Sequence, residues 1–258
     1  MSATNRWARR DLLAEAVGTG ALVAVVVGSG AMAQTLSPSD VGLQLFENAV
    51  ATAAALFVLI AVFASVSCAE FNPVVTVVGA FDAVGGRRPS GDAVLTIVAQ
   101  LVGAVLGVVV ANAMFELPLV GPSDTERASA ALLLAEVVAT CGLVTVIFGL
   151  ARAGRAALIA PAVGAYIGAA YFFTASTSFA NPAVTIGRAL TDSFAGINPT
   201  SVPAFIAAQC VGGLLGWVLV RALWPVPTGQ AGEDAKLQDA DLQTAQGSSH
   251  LPHQEESA

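Results

Sequence analysis

Glu70-Phe71-Asn72-Pro73-Val74-Val75-Thr76 and Phe179-Ala180-Asn181-Pro182-Ala183-Val184-Thr185 are two spellings of one short stretch, with the two asparagines 109 residues apart. Each sets Asn at a helix-capping position and Pro at the first helical position, then runs on through apolar, helix-compatible residues. The pattern predicts two short helices, over 73–82 and 182–191. At 1.5 Å rise per residue such a helix is roughly 12–15 Å long, about half of a ~30 Å hydrocarbon core. Two of them, end to end, would span it.

The surrounding chain has the composition that this arithmetic needs. Hydrophobic residues make up 55% and charged ones 11%, against about 25% charged in an ordinary soluble domain, and mean hydropathy is +0.74. A soluble fold is excluded on these grounds. The net charge of −7 is concentrated in a terminal tail and carries little information about partners.

Arg6, Arg9 and Arg10 precede a first apolar run from Leu12 to Ala33. A basic head and an apolar run also fit a secretory signal peptide. This run is too long for one and contains Glu15, so it reads as a first membrane helix. Further runs lie at about 43–66, 92–114, 129–151, 157–178 and 201–224, each near the ~20 residues of a span. The prediction is an all-α membrane protein of six transmembrane helices and two re-entrant half-helices. Basic residues mark alternate connections: the N-terminus, Arg87 with Arg88, Arg152 with Arg155, and Arg221. The positive-inside rule then puts both termini in the cytoplasm.

A repeat extends beyond the two Asn-Pro stretches. Ala14-Glu15 with Thr19, Leu22 and Gly28 recurs as Ala135-Glu136 with Thr140, Leu143 and Gly149, so span one matches span four. Ala99-Gln100 with Gly103 and Gly107 recurs as Ala208-Gln209 with Gly212 and Gly216, so span three matches span six. Three spans is an odd number, and the second unit must enter the membrane from the opposite face. This is an inverted 3+3 repeat, which places a site or pathway near the midplane. The divisions are a cytoplasmic N-terminus (1–10), a first repeat (11–114), a connecting loop (115–128), a second repeat (129–224) and a disordered, acidic cytoplasmic tail (225–258).

Inversion points the two half-helix N-termini at each other, so two dipole ends of about +0.5 charge meet at the bilayer centre. Asn72 and Asn181 cap there, each with an amide donor to offer. Water or a neutral hydroxylated molecule finds hydrogen-bond donors in an otherwise apolar tube, and the same field repels cations.

This constellation closely resembles the major intrinsic protein family, the aquaporins and aquaglyceroporins, over about residues 11–224. The resemblance implies a right-handed bundle around one pore per subunit and a homotetramer. It assigns Asn72, Pro73, Val74, Asn181, Pro182 and Ala183 to the pore motifs. It also gives Glu15, Glu136, Gln100 and Gln209 the task of bracing the half-helix loops, rather than relaying protons. The family usually has Ala where Val74 stands, and Val74 is expected to trim the bore. The family's filter arginine normally follows the second Asn-Pro-Ala, where this chain has Val184. Arg188, one turn further on, reads as a structural or rim residue that complements the helix dipole.

Carrying the other filter positions over by spacing gives Thr52, Ala169 and Ser178, with Phe179 a rival to Ser178. The filter is then wide, weakly polar and without a fixed charge at the mouth. That implies passive passage of water and small uncharged solutes such as glycerol, urea or metalloid hydroxides, arsenite among them. The Glu-Phe-Asn-Pro spelling is similar to that of bacterial members associated with arsenic resistance. The competing class is an ion-coupled secondary transporter of a small solute, since such proteins also use inverted repeats and broken helices.

Gly103, Gly107, Gly212 and Gly216 are spaced four apart, which suits either a tight contact between spans three and six or ordinary small-residue packing. Cys68, Cys141 and Cys210 share no metal-site or disulfide spacing, and His250 and His253 lie in the tail. No enzyme, cofactor, metal site or nucleic-acid partner is expected. A bacterial inner membrane is the expected location.

Overall fold

The structure, a computed structural model, describes residues 3–82 and 90–225. Eight α-helices are present among them: α1 (Ala3–Leu36), α2 (Val41–Ser67), α3 (Pro73–Phe81), α4 (Ser90–Met114), α5 (Ala130–Arg152), α6 (Ile159–Phe173), α7 (Pro182–Arg188) and α8 (Val202–Leu223). Six segments are long and apolar enough to cross a membrane, those of α1, α2, α4, α5, α6 and α8. The two short helices, α3 and α7, are the half-helices. Arg87, Arg88, Lys236 and both histidines lie outside the described residues, as does the tail beyond Pro225.

Helix starts follow the capping chemistry of the sequence. Asp40 accepts from the Leu43 N–H at 2.9 Å to open α2, and Ser129 accepts from the Leu132 N–H to open α5. Two ends that bear on the site differ from expectation. The fifth span stops at Phe173 rather than 178, because Thr174 turns to extended backbone and the following loop dives toward the midplane. The second half-helix stops at Arg188 rather than 191. Its last carbonyls are taken by tight turns, from Ala189 N to Ile186 O and from Leu190 N to Gly187 O, and the Arg188 carbonyl is taken by Ile197.

Packing repeats between the halves. The α1–α4 pair is pressed together at glycine: a Cβ on Gly103 would sit 2.1 Å from the Ala16 carbonyl oxygen, and one on Gly107 2.2 Å from that of Gly20. The α5–α8 pair is closed likewise, with Gly212 facing the Val137 carbonyl and Gly216 that of Cys141. The four glycines therefore serve two separate contacts, within each repeat. They do not join spans three and six, because each glycine already faces the first span of its own unit. Small residues of this kind let backbones approach where lipid gives helices no hydrophobic drive to associate.

A continuous apolar core runs through Val23, Val27, Val108 and Val144 to the half-helix residues Val74, Val75, Ala183 and Val184. The periphery is studded with exposed Leu, Val and Phe, among them Phe57, Val62, Leu106 and Leu214. That apolar outer surface is what a hydrocarbon solvent requires.

Candidate functional site: the opposed half-helices and the cavity between them

The loop entering each half-helix has an unusual backbone. Cys68, Ala69 and Phe71 have φ of 70°, 50° and 47°, and Thr177, Ser178 and Ala180 have 62°, 51° and 48°. Non-glycine residues rarely adopt positive φ. Here the two triplets stand at the same distances before Asn72 and Asn181. Such conformations persist only when their surroundings hold them, and the holding groups are the buried acids and amides of the long spans.

Glu15 Oε1 accepts from the Ser67 hydroxyl (2.8 Å) and the Glu70 N–H (3.0 Å). Its Oε2 accepts from the Phe71 N–H and the Gln100 amide, both at 2.8 Å. Glu136 repeats this on the other loop, accepting from the N–H groups of Phe179 and Ala180 at 2.9 Å and from Gln209 at 2.7 Å. Gln100 and Gln209 also donate to Thr76 and Thr185 of the half-helices, each at 2.9 Å. All four residues are at most 1% exposed. Each carboxylate is spent on loop donors, which is how a buried acid is made tolerable.

The asparagines lock the two loops together. Asn72 Oδ1 accepts from the Val74 N–H at 3.0 Å, and Asn181 Oδ1 from those of Ala183 and Val184 at 2.9 and 3.3 Å. Each amide nitrogen then donates across the midplane: Asn72 to the Ala180 carbonyl at 2.7 Å, Asn181 to that of Phe71 at 2.8 Å. A carboxamide nitrogen carries two hydrogens. One of them is fixed in each crossing, and a second remains on each asparagine beside the cavity.

That cavity, about 260 Å³, touches residues on both sides of the asparagines. Its apolar wall includes Leu22, Val26, Leu56 and Ile60, together with Ile159, Val163 and Ile167 at every fourth position of α6. The lining also carries the loop residues 68–72, Asn181, Ser178, Phe179, Val184 and Arg188. Thr52 and Tyr171, also on the wall, share a hydroxyl–hydroxyl bond of 3.1 Å.

Thr52, Ser178 and Val184 thus face the cavity, as does Phe179, so the two rivals lie side by side. Ala169 does not: it is exposed on the outer face of α6, where the four-residue stripe puts Ile167 and Tyr171 inward instead. The early end of the fifth span shifts the register that spacing from Asn181 assumed. Val74 is also displaced from its expected place. It packs against α8, within 2.3 Å of where a Gly213 Cβ would stand, and borders an apolar crevice on the outer surface. It cannot trim the bore from there; Val75 is the valine on the cavity wall.

The expectation of a mouth without fixed charge does not hold. Arg188 is 2% exposed, lines the cavity and stacks on the Phe179 ring with its guanidinium carbon 3.4 Å from the centroid. Its Nε donates to the Ala195 carbonyl. Arg127, from the connecting loop, approaches the same ring at 5.3 Å and donates to the Gly196 carbonyl at 3.0 Å. Burial pushes the Arg127 guanidinium below its ordinary pKa, with Glu136 and Tyr171 opposing. At the other end of the molecule, Asp82 at the close of α3 pairs with Arg152 at 2.6 Å, and Arg152 also donates to the Trp224 carbonyl. No cluster of three potential metal ligands occurs among the described residues.

Tyr171 escaped the sequence reading although the stripe Ile159, Val163, Ile167, Tyr171 was there to find. Arg188 was visible, but nothing local showed that its loop turns it inward.

Comparison with known proteins bears on this geometry. The family model of the major intrinsic proteins matches residues 2–178 and 155–249. The aquaglyceroporin AqpS of Rhizobium meliloti (strain 1021) is 44% identical over 214 residues, covering 83% of this chain and 90% of that protein. A probable aquaporin of TIP type from Medicago truncatula is 34% identical over 190 residues, 69% of this chain and 74% of the relative. Among solved structures, the aquaglyceroporin from Plasmodium falciparum superposes with a TM-score of 0.62 at 19% identity, over 82% of this chain and 94% of that one, which speaks to the fold. The chain belongs to the major intrinsic protein family of aquaporins and aquaglyceroporins.

Proposed function

We propose that this protein conducts water and small uncharged polar solutes, glycerol and urea foremost and metalloid hydroxides of similar size, along the cavity between Asn72 and Asn181. Its family makes it a passive membrane channel for water and small solutes, and not an enzyme. The solute range is our reading. The observation that carries it is the mixed lining: apolar side chains of α1, α2, α5 and α6, and with them polar groups that include both asparagines. A carbon skeleton slides along the first while hydroxyl or amide groups exchange partners along the second. The opposed dipoles of α3 and α7 add a positive potential at the crossing, which discourages cations.

In this reading Asn72, Pro73, Asn181, Pro182 and Ala183 form the crossing, and Glu15, Glu136, Gln100 and Gln209 hold it. Thr52, Tyr171, Ser178, Phe179 and Val184 set the width at the mouth opposite the termini. We further propose a homotetramer in a bacterial inner membrane with both termini cytoplasmic. The basic residues Arg9, Arg10, Arg152, Arg155 and Arg221 on one side support that orientation. The aquaglyceroporin named for the Rhizobium relative favours a solute range beyond water.

Swelling of proteoliposomes in glycerol and urea gradients tests the range. Both solutes should enter alongside water, and Val184→Arg should slow glycerol more than water. Fast water flow with glycerol and urea excluded would contradict the reading. An ion-coupled carrier is the weaker alternative, because the oxygens of Glu15 and Glu136 are engaged by loop donors rather than by a substrate space.

A further inference from the structure

We propose that Arg188 is the specificity-determining cation of this pore, acting one helical turn beyond the place that Val184 occupies. The inference rests on the channel reading above. Three observations carry it. Arg188 is 2% exposed and lines the cavity at its end farthest from the N-terminus of α1. It has no carboxylate partner: its Nε is held by the Ala195 carbonyl, while neither Nη group has a hydrogen-bond or ion-pair partner among the described residues. Its plane is fixed against the Phe179 ring, which in turn packs edge-on against Phe205 at 5.2 Å.

A buried guanidinium without an acid beside it is costly. The cost falls when its free N–H groups are solvated by whatever fills the cavity. Tethered at Nε and stacked on a ring, the group has lost most of its freedom, so its remaining donors point at a fixed place. They form a donor-rich subsite on the cavity wall that Ser178 and Phe179 also line, suited to a neutral solute bearing two acceptor oxygens, or one carbonyl oxygen. The same positive charge, with Arg127 over the same Phe179 ring, opposes cations before they reach the asparagines.

The geometry also separates solute recognition from width. Val184 leaves the bore open where an arginine would fill it, and Arg188 supplies the charge from the flank. A pore built this way admits a larger polyol than one with the cation at position 184, yet still rejects cations.

The test compares wild type, Arg188→Val, Arg188→Lys and the double variant Val184→Arg with Arg188→Val. All are reconstituted in proteoliposomes and assayed for water, glycerol and urea flux and for potassium and proton leak. Arg188→Val should raise cation leak by about tenfold or more and change the glycerol-to-water ratio several-fold. Arg188→Lys should keep cations out while still shifting the glycerol-to-urea ratio, because the charge stays and the fork is lost. The double variant should regain cation exclusion and lose glycerol. If Arg188→Val fails to assemble, Arg188→Lys decides: a glycerol-to-urea ratio equal to wild type overturns the proposal. So does an assembled Arg188→Val with wild-type leak and ratios. A wild type that passes none of the solutes overturns the channel reading, and this inference with it.

Discussion

Placed side by side, the two half-helix regions agree in their frame and differ most in the charge carried at one pair of positions. Residues 68–79 and 177–188 share the positive-φ positions, the capping asparagine, the crossing bond and the Glu–Gln–Thr brace, with distances that agree to within about 0.2 Å. The difference lies two positions before and seven after each asparagine. In the first region Glu70 lies over Gly79, its Oε1 3.2 Å from where a Cβ would be, and it accepts from Thr76 at 2.8 Å. In the second region Arg188 lies over Phe179. One end of the cavity is thus lined by a carboxylate and the other by a guanidinium. In the proposed channel the frame sets where a solute would cross, and this pair sets what it would meet at either end.

Breaking the frame should have the largest effect, and should do so in both regions. Glu15→Ala removes the acceptor of four hydrogen bonds and Glu136→Ala that of three. At about 1–3 kcal/mol for each buried unpaired group, either change should remove most folded protein in detergent, with Glu15→Ala the more severe. Thermal unfolding followed by size-exclusion chromatography reads both. A Glu136→Ala protein with wild-type stability would mean that the brace holds nothing.

Next in size comes the packing that keeps each pair of spans close. Gly103→Ala forces a methyl group to within 2.1 Å of a backbone oxygen and Gly212→Ala to within 2.5 Å. Overpacking of this kind costs about 1–3 kcal/mol, and the midpoint of unfolding should drop further for Gly103→Ala. The reverse order would show that α1–α4 yields more readily than α5–α8.

The smallest effect is expected at Val74. Because it packs on Gly213 outside the cavity, Val74→Ala should cost about 1–2 kcal/mol of stability and leave water and glycerol flux unchanged. A faster glycerol flux in that variant would return Val74 to the bore.

Much of this was legible in the sequence because it is written in local chemistry or in repetition. Asn-Pro announces a capped helix wherever it occurs, ten or so apolar residues set the length, and the recurrence of Glu15 and Gln100 as Glu136 and Gln209 exposes the inverted halves. The inward face of α6 was less legible, since the loop between Phe173 and Asn181 sets its register and spacing alone gave Ala169 instead of Tyr171. Side-chain direction on a half-helix was harder still. Val74 and Val75 are adjacent and alike, and only the position of α8 sends the first outward. Arg188 depends on the turn at 189–197, whose Ala195 carbonyl draws the guanidinium back along the cavity wall; no pattern within the helix encodes it.

A channel of this kind needs a continuous passage for neutral solute between Asn72 and Asn181. Stopped-flow light scattering of proteoliposomes under a stepped series of glycerol gradients tests it most directly, with and without a protonophore. In a passive channel the initial flux should rise linearly with the gradient and be indifferent to the protonophore. Flux that saturates and collapses when the proton gradient is dissipated would contradict it.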